Sequence, residues 1–348
     1  MGVVHHEFFM DKSRRMFSGW QTSSSYDRMG IDTGEVLSML KTNFAHTNKT
    51  INRLGFGAWQ LGNTDFWGYM SVDEGVELVK TAISKGVNFF DTAPGYASGL
   101  SESIIGASVL NNREAVVINT KFGHTADGET DFSVFSLREQ IYESLERLQT
   151  DYLDSILLHN PSMDILEGNT QHFQELKKLK EEGLIRAYGV SIDTYEEFKA
   201  VLDHVELDVV EILFNIFFQE PSKLFKQAKE KGISIIAKVP LDSGWLTGKY
   251  DEFSEFYGIR SRWDDEQLHQ RSMLVSELKS ITGANDLTKY AIGFVLSFPE
   301  VTAVIPGIKN LDQLQDHINN SNFKLPANIK KEFVKMYNKR IKNDPLYW

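Results

Sequence analysis

The chain has 348 residues, of which 41% are apolar and 12% aromatic, enough for one large α/β barrel with an extension or for two ordinary domains. Its 48 acidic residues outnumber its 37 Lys and Arg residues, and the resulting charge of −11 argues against nucleic acid or an anionic membrane as a partner. Cysteine is absent, which excludes disulfides, thiolate metal ligands and a thiol nucleophile, and no apolar run approaches the roughly 20 residues that span a bilayer.

The polar, irregular N-terminal region is predicted to be a partly ordered extension over residues 1–47. Its first residues, Met1–Gly19, carry charges and lack the continuous apolar segment of a secretory signal, so a cytoplasmic protein is expected. A single barrel domain is predicted over residues 48–325. It is followed over residues 326–348 by a C-terminal helix or tail that packs on the barrel.

Short apolar runs alternate with amphipathic stretches through the rest of the chain. Eight runs rich in Val, Ile, Leu or Phe predict strands, at Leu54–Trp59, Val87–Asp91, Ala115–Lys121, Ser155–His159, Ile185–Ser191, Val209–Asn215, Ser234–Val239 and Thr302–Ile305. Apolar residues at three- and four-residue spacing predict helices between them, among them Val72–Lys85, Leu137–Leu148, Thr170–Glu182 and Tyr195–Asp203. Several of these helices are predicted to stop at a glycine in the left-handed conformation, namely Gly86, Gly183 and Gly232.

Repeated strand–helix units with apolar strands are typical of a parallel sheet, and eight of them predict an α/β fold closed into a (β/α)8 TIM barrel. The alternative is an open doubly wound sheet, but no Gly-x-Gly-x-x-Gly motif follows any predicted strand. The charged, aromatic-rich residues 249–264 predict a long loop after the seventh strand, on the face where barrel active sites lie.

Three successive predicted strands end in Asp91, Lys121 and His159, and Tyr96 follows the first of them in a loop. Each residue alone has an ordinary alternative as a turn, packing or solvated residue. Together they predict a proton-transfer site, because the carboxyl ends of parallel barrel strands open onto one face. A nearby ammonium lowers the pKa of a phenol from its usual value of about 10, and a carboxylate holds that ammonium in place. A neutral imidazole can orient a carbonyl oxygen.

Several motifs resemble those of the aldo-keto reductase superfamily, in order and with its spacing, from about residue 51 to about residue 320. They are Arg53–Gly62, Asn88–Tyr96, Leu157–Pro161, Gly189–Ser191, Pro240–Tyr250 and Val304–Gly307. The resemblance implies an NADP(H)-dependent alcohol dehydrogenase or carbonyl reductase whose catalytic tetrad corresponds to Asp91, Tyr96, Lys121 and His159. Tyr96 would exchange the proton while hydride passes between nicotinamide and substrate. Members that serve as channel subunits often carry Asn in place of His159, which favours an enzyme here.

The resemblance also implies an NADP site, for which the candidates are Trp59, Ser191, Glu211, Lys238, Pro240, Leu241, Ser243, Gly244, Gly307, Lys309, Gln313 and His317. Ser191 corresponds to a residue that binds the nicotinamide carboxamide, but the next residue is Ile192 instead of the common Asn. Glu211 replaces the usual Gln, and Lys238 replaces the aromatic residue that stacks on the nicotinamide. A bacterial branch of the family has a basic residue at that position. We expect Lys238 to cover the ring, balanced by Glu211.

The adenosine end of the predicted cofactor site lies after the eighth strand. Lys309 precedes the predicted helix Leu311–Asn319, whose N-terminus suits a phosphate, and it favours NADP over NAD. Gln313 and His317 are further candidates for the 2′-phosphate, and Leu241, Ser243 and Gly244 for the pyrophosphate. The aromatic side chains Trp59, Trp67 and Phe122, with the loop from Trp245 to Trp263, are predicted to surround a small-molecule carbonyl or sugar-like substrate.

Two other functions remain open at this point. One is a cofactor-binding regulatory subunit without significant turnover, favoured by the departures at Ile192, Glu211 and Lys238. The other is a Schiff-base aldolase that uses Lys121 as its nucleophile, which the motifs around Tyr96 and Gly307 argue against. No histidine spacing suggests a metal site, and the sequence is compatible with an oligomer.

Overall fold

The computed structural model describes residues 39–347, apart from the side chains of Asp65 and Ile259. Most of the predicted extension, residues 1–38, lies outside the described residues, and the division of the chain into segments stays a prediction. The described part begins with an antiparallel hairpin of β1 (Lys41–Asn43) and β2 (Thr50–Asn52). Its Phe44 and Ile51 are fully buried against the interior of the barrel, so the hairpin plugs the end at which the strands begin.

The eight strands of the barrel are β3 (Phe56–Gly57), β4 (Phe89–Asp91), β5 (Val117–Phe122), β6 (Ser155–His159), β7 (Tyr188–Ile192), β8 (Val209–Leu213), β9 (Ser234–Lys238) and β10 (Val301–Val304). Each pairs in parallel with its neighbour in the chain. Leu54 bridges to Val304 and Gly57 to Gly307, and these contacts join the first strand to the last. The predicted TIM barrel is confirmed.

Twelve α-helices are found within residues 39–347. They are α1 (Thr64–Trp67), α2 (Val72–Ser84), α3 (Leu100–Val109), α4 (Val134–Leu148), α5 (Met163–Leu166), α6 (His172–Glu181), α7 (Tyr195–His204), α8 (Phe225–Glu230), α9 (Asp265–Thr282), α10 (Thr288–Leu296), α11 (Leu311–Ser321) and α12 (Ala327–Arg340). In α2, α7 and α9 the first turn is fixed by a capping box, in which the N-cap side chain and the third helical residue exchange hydrogen bonds. The helix-ending glycines are left-handed as predicted, with φ of 92° at Gly86, 83° at Gly183 and 77° at Gly232. No helix of this part of the chain is long and apolar enough to cross a membrane.

Strands β7 and β8 approach each other closely at Gly189, which pairs with Val209. A Cβ atom at Gly189 would lie 1.7 Å from the carbonyl oxygen of Val209, a contact that only a shift of the backbone could relieve. We therefore expect Gly189→Ala to destabilise the protein by more than about 3 kcal/mol, the upper end of ordinary overpacking. Urea unfolding measures the effect. Gly95→Ala is the control, because its nearest neighbour would lie at an ordinary 3.6 Å, and equal losses from the two changes would contradict the steric argument.

Candidate active site

The four predicted catalytic residues converge at the carboxyl ends of β4, β5 and β6. Asp91 is the last residue of β4, Lys121 is the second-to-last residue of β5, and His159 is the last residue of β6. Tyr96 follows β4 in a tight turn whose backbone is held by a hydrogen bond from the Tyr96 amide to Ala93. Strand ends and one short turn thus bring the four side chains to one face of the barrel.

Lys121 is the centre of the site, and its ammonium is shielded from solvent. Its Nζ lies 2.7 Å from Asp91 Oδ1, 3.0 Å from the Thr92 carbonyl oxygen and 3.6 Å from Glu211 Oε2. Burial alone would lower the pKa of Lys121, but Asp91 and Glu211 outweigh burial and raise this pKa above its ordinary value. Lys121 therefore stays an ammonium, and it has two counter-ions where the sequence predicted one.

Tyr96 is held between aromatic rings and the ammonium. Lys121 Nζ lies 5.2 Å from the centre of its ring, and the ring centres of Trp59 and His159 lie at 6.4 and 6.2 Å. Burial raises the pKa of Tyr96 above its usual value, Lys121 opposes this, and Asp91 and Glu211 add to it. Lys121 lowers the pKa of Tyr96 as predicted, but desolvation of the phenolate outweighs this one cation, so the net pKa is raised instead of lowered. Tyr96 is a protonated phenol at neutral pH.

His159 is a neutral imidazole. Burial lowers its pKa well below the usual value, and electrostatic interactions with Lys121, Lys238 and His124 lower it further. Among the described residues its Nδ1 has no hydrogen-bond partner. The ring is held by edge-to-face packing instead, with its centre 5.0 Å from that of His124. A neutral imidazole agrees with the role predicted for it, the orientation of a carbonyl oxygen.

Two polar residues that sequence reasoning missed connect the site. Asn119 donates hydrogen bonds to Asp91 Oδ2 at 2.6 Å and to Glu211 Oε2 at 3.3 Å, so it joins the two carboxylates around Lys121. Asp193 forms an ion pair with Lys238 at 2.9 Å. The expected balance of Lys238 by Glu211 is therefore replaced in the described structure by direct pairing with Asp193. The Ser191 hydroxyl links Lys238 to Glu211: it accepts a hydrogen bond from Lys238 Nζ and donates one to Glu211 Oε1, each at 2.9 Å.

A cleft of about 480 Å³ opens beside Asp91 and Tyr96. It is lined by every predicted cofactor residue except Ser191, namely Trp59, Glu211, Lys238, Pro240, Leu241, Ser243, Gly244, Gly307, Lys309, Gln313 and His317. Trp67 lines it as predicted, but Phe122 does not: this side chain is buried against Phe132 and His172. Trp245 and Trp263 are also buried. The residues of their loop that line the cleft include Tyr250, Tyr257 and Arg260.

The walls of the cleft fit a nucleotide in two respects. Two of its lining residues, Gly244 and Gly307, have no side chain, and both pack closely on neighbours: a Cβ at Gly307 would lie 2.2 Å from the Gln60 side chain, and one at Gly244 would lie 2.8 Å from the Tyr250 ring. Among the described residues, the buried polar atoms Gln60 Oε1 and His317 Nδ1, both on lining residues, have no hydrogen-bond partner. Glycine backbone and unpartnered polar atoms in a cleft can bind a polar ligand.

The far end of the cleft is formed at the start of α11. Asn310 caps this helix by accepting a hydrogen bond from the Gln313 amide at 2.9 Å, and the Gln313 side chain accepts from the Lys309 amide at 3.0 Å. The Lys309 side chain is exposed at the edge of the cleft. Asp316, which sequence reasoning did not consider, lines the same end.

Comparison with known proteins identifies the family to which this site belongs. A family model described as "Aldo/keto reductase family" matches residues 53–338. The chain is 28% identical to the uncharacterized oxidoreductase YqkF of Bacillus subtilis, over 88% of this chain and 98% of that protein. It is 30% identical to L-galactose dehydrogenase of Arabidopsis thaliana, over 78% of this chain and 85% of that enzyme. Its fold is similar to that of an aldo-keto reductase from Bacillus halodurans in the holo form, with a TM-score of 0.73, 24% identity and coverage of 86% of this chain and 96% of that one. The chain therefore belongs to the aldo/keto reductase family, whose enzymes are oxidoreductases that use a nicotinamide cofactor.

Proposed function

We propose that this enzyme uses NADPH to reduce an aldehyde or ketone to an alcohol, or catalyses the reverse reaction with NADP. The observation that carries the proposal is the meeting of Tyr96, Lys121, Asp91 and His159 beside a cleft that also reaches Lys309. Such a site can exchange one proton with a carbonyl oxygen. The bound nicotinamide supplies or accepts the hydride.

Each residue of the tetrad has a separate task in carbonyl reduction. Tyr96 is protonated and donates its phenol proton to the substrate oxygen as negative charge develops there. Lys121 stays charged beside the phenolate that results, and Asp91 holds Lys121 at 2.7 Å. His159, being neutral, donates a hydrogen bond to the same oxygen and sets its direction. In alcohol oxidation the proton moves the other way, and the phenolate of Tyr96 is the base.

The cofactor would extend along the cleft from the tetrad to α11. Trp59, Ser191, Glu211 and Lys238 belong to the nicotinamide end in this proposal. Pro240, Leu241, Ser243 and Gly244 lie in the loop after β9, where the pyrophosphate would bind. The adenosine and its 2′-phosphate would contact Gly307, Lys309, Gln313 and His317. The exposed ammonium of Lys309 is the feature that supports NADP over NAD.

Lys309→Ala tests the preference for NADP. Loss of one charge-assisted hydrogen bond is worth about 1.5–3 kcal/mol, so we expect NADPH affinity to fall roughly 10- to 100-fold while NADH affinity is unchanged. Quenching of tryptophan fluorescence measures both affinities. Lys324→Ala is the control, because Lys324 is exposed but does not line the cleft. An equal loss for NADPH and NADH would show that Lys309 does not contact the 2′-phosphate.

The class of substrate follows from the side chains at the mouth. Trp59 and Trp67 pack edge to face at 5.4 Å beside Tyr96, and this aromatic wall suits small apolar or sugar-like carbonyl compounds. The relative named L-galactose dehydrogenase supports the inclusion of aldoses in a substrate screen. The screen follows NADPH consumption with carbonyl compounds and NADPH formation with alcohols. Tight cofactor binding without turnover of any of these compounds would favour the regulatory subunit instead.

A further inference from the structure

Glu211 lies at the centre of the catalytic cluster, not at its edge. Its side chain is buried, and its two oxygens have different partners. Oε2 lies 3.6 Å from Lys121 Nζ and accepts a hydrogen bond from Asn119, while Oε1 accepts one from Ser191 at 2.9 Å. Both oxygens are therefore engaged by the protein, and one of them faces the catalytic ammonium.

We propose that Glu211 is a second counter-ion of Lys121, a positioning residue whose charge biases the enzyme towards carbonyl reduction. The proposal rests on the assignment of Tyr96 as the proton donor. It differs from the role expected for this position from the sequence, a cofactor-site residue that balances Lys238. A Gln at this position could keep both contacts if its oxygen accepted from Asn119 and its amide nitrogen donated to the Ser191 hydroxyl, but only a carboxylate adds charge beside Lys121.

Charged side chains from several strands surround Lys121 and Glu211. Asp91 and Glu211 face Lys121 from β4 and β8, and Lys238 faces Glu211 from β9, where Asp193 already neutralises it. His159 is neutral, and His124 lies behind it. The ammonium of Lys121 therefore lies between two carboxyl groups, and the negative charge of Glu211 acts on Tyr96 as well as on Lys121.

The negative charge of Glu211 affects two neighbouring acids, Tyr96 and Asp91. Burial is the largest cause that raises the pKa of Tyr96 and the pKa of Asp91. The negative charge of Glu211 raises both values further. Tyr96 thus stays protonated, as reduction requires, up to a higher pH than with one carboxylate. Oxidation needs the phenolate and is confined to alkaline solution. The enzyme is biased towards reduction.

Glu211→Gln is the direct test. Removing a negative charge favours the ionised forms of its acidic neighbours, so the pKa values of Tyr96 and Asp91 both fall, for Tyr96 by on the order of one unit. The Tyr96 titration is measured without substrate, from the tyrosinate absorbance of each protein minus that of its Tyr96→Phe counterpart. We expect the phenol to ionise at lower pH in Glu211→Gln than in the wild type. Glu211→Asp keeps the charge and is expected to restore the wild-type titration.

The pH dependence of kcat supplies the second readout. In Glu211→Gln the alkaline decline of reduction and the alkaline rise of oxidation should both move to lower pH. A role confined to packing would lower kcat without moving either limb, and a role confined to the nicotinamide would weaken cofactor binding alone. Tyr96 ionising at the same pH in the wild type and in Glu211→Gln would overturn the proposal. Absence of turnover in the wild type would instead overturn the proposed function, and the absorbance titration would still decide the role of Glu211.

Discussion

Tyr96→Phe is expected to lower kcat for carbonyl reduction by about 10²- to 10⁴-fold, the usual contribution of a positioned general acid. The ring of Tyr96 lies beside the ammonium of Lys121, with Nζ 5.2 Å from its centre, and phenylalanine keeps the ring that packs against Trp59 and His159. NADPH affinity should change little, since the cleft keeps its shape. Steady-state rates of NADPH consumption, together with tryptophan quenching, separate the two effects.

The matched control for this change is Tyr188→Phe. Tyr188 is a buried tyrosine that begins β7, at the opposite end of the barrel from the tetrad, so the loss of its hydroxyl should leave kcat unchanged. Retention of more than about a tenth of wild-type kcat by Tyr96→Phe would show that another group donates the proton.

The positions of the strands were predictable from sequence, but their lengths were less so. The run Ser155–His159 forms β6 with the predicted bounds, while the predicted strand Leu54–Trp59 shortens to β3, Phe56–Gly57. After Gly57 the chain turns into a 3-10 helix, Ala58–Gln60, which carries Trp59 to the cleft. An apolar run has the same composition in a strand and in a buried turn, so composition alone does not locate the boundary.

The convergence of Asp91, Tyr96, Lys121 and His159 was predictable because each residue lies where a barrel strand or its loop reaches the open face. The error at Phe122 was avoidable. Side chains alternate along a strand, so with Lys121 facing the interior, Phe122 must face the helices, where it contacts Phe132 and His172. The same alternation places Asn119 beside Lys121, a signal that the sequence contained. The raised pKa of Tyr96 had no such signal, because it depends on the total burial and charge contributed by several strands.

Arg271 connects the loop after β9 to the end of the described chain. Its guanidinium is fully buried and lies 4.9 Å from the centre of the Trp263 ring. Nε donates a hydrogen bond to Asp242 Oδ2 at 3.2 Å, and Nη2 donates one to the carbonyl oxygen of Tyr347 at 2.5 Å. Asp242 has a φ of 45° and is followed by Ser243 at 54°, so this part of the loop is left-handed. The buried ion pair therefore holds a strained loop in the conformation that lines the cleft.

Arg271→Met is expected to destabilise the protein by about 3–5 kcal/mol, because the buried carboxylate of Asp242 loses the guanidinium that hydrogen-bonds to it. NADPH affinity should fall as well, since Ser243 and Gly244 follow Asp242 in the loop. Urea unfolding and tryptophan quenching measure the two losses. Lys226→Met is the control: its exposed pair with Glu230, at 3.8 Å, should contribute little.

The pH dependence of this loss separates an unpaired charge from a packing defect. Burial raises the pKa of Asp242 even with Arg271 present. A carboxyl group whose pKa is raised by folding favours the folded state at low pH and costs stability as the pH rises through its folded pKa. Without Arg271 that pKa rises further, so the stability lost in Arg271→Met should be largest at about pH 8 and shrink towards about pH 5.

Adding Asp242→Asn to Arg271→Met should recover part of the lost stability at about pH 8, since asparagine tolerates the left-handed backbone and carries no charge. If Arg271→Met lost the same amount of stability at both pH values, the packing of the arginine side chain, and not its charge, would stabilise the loop.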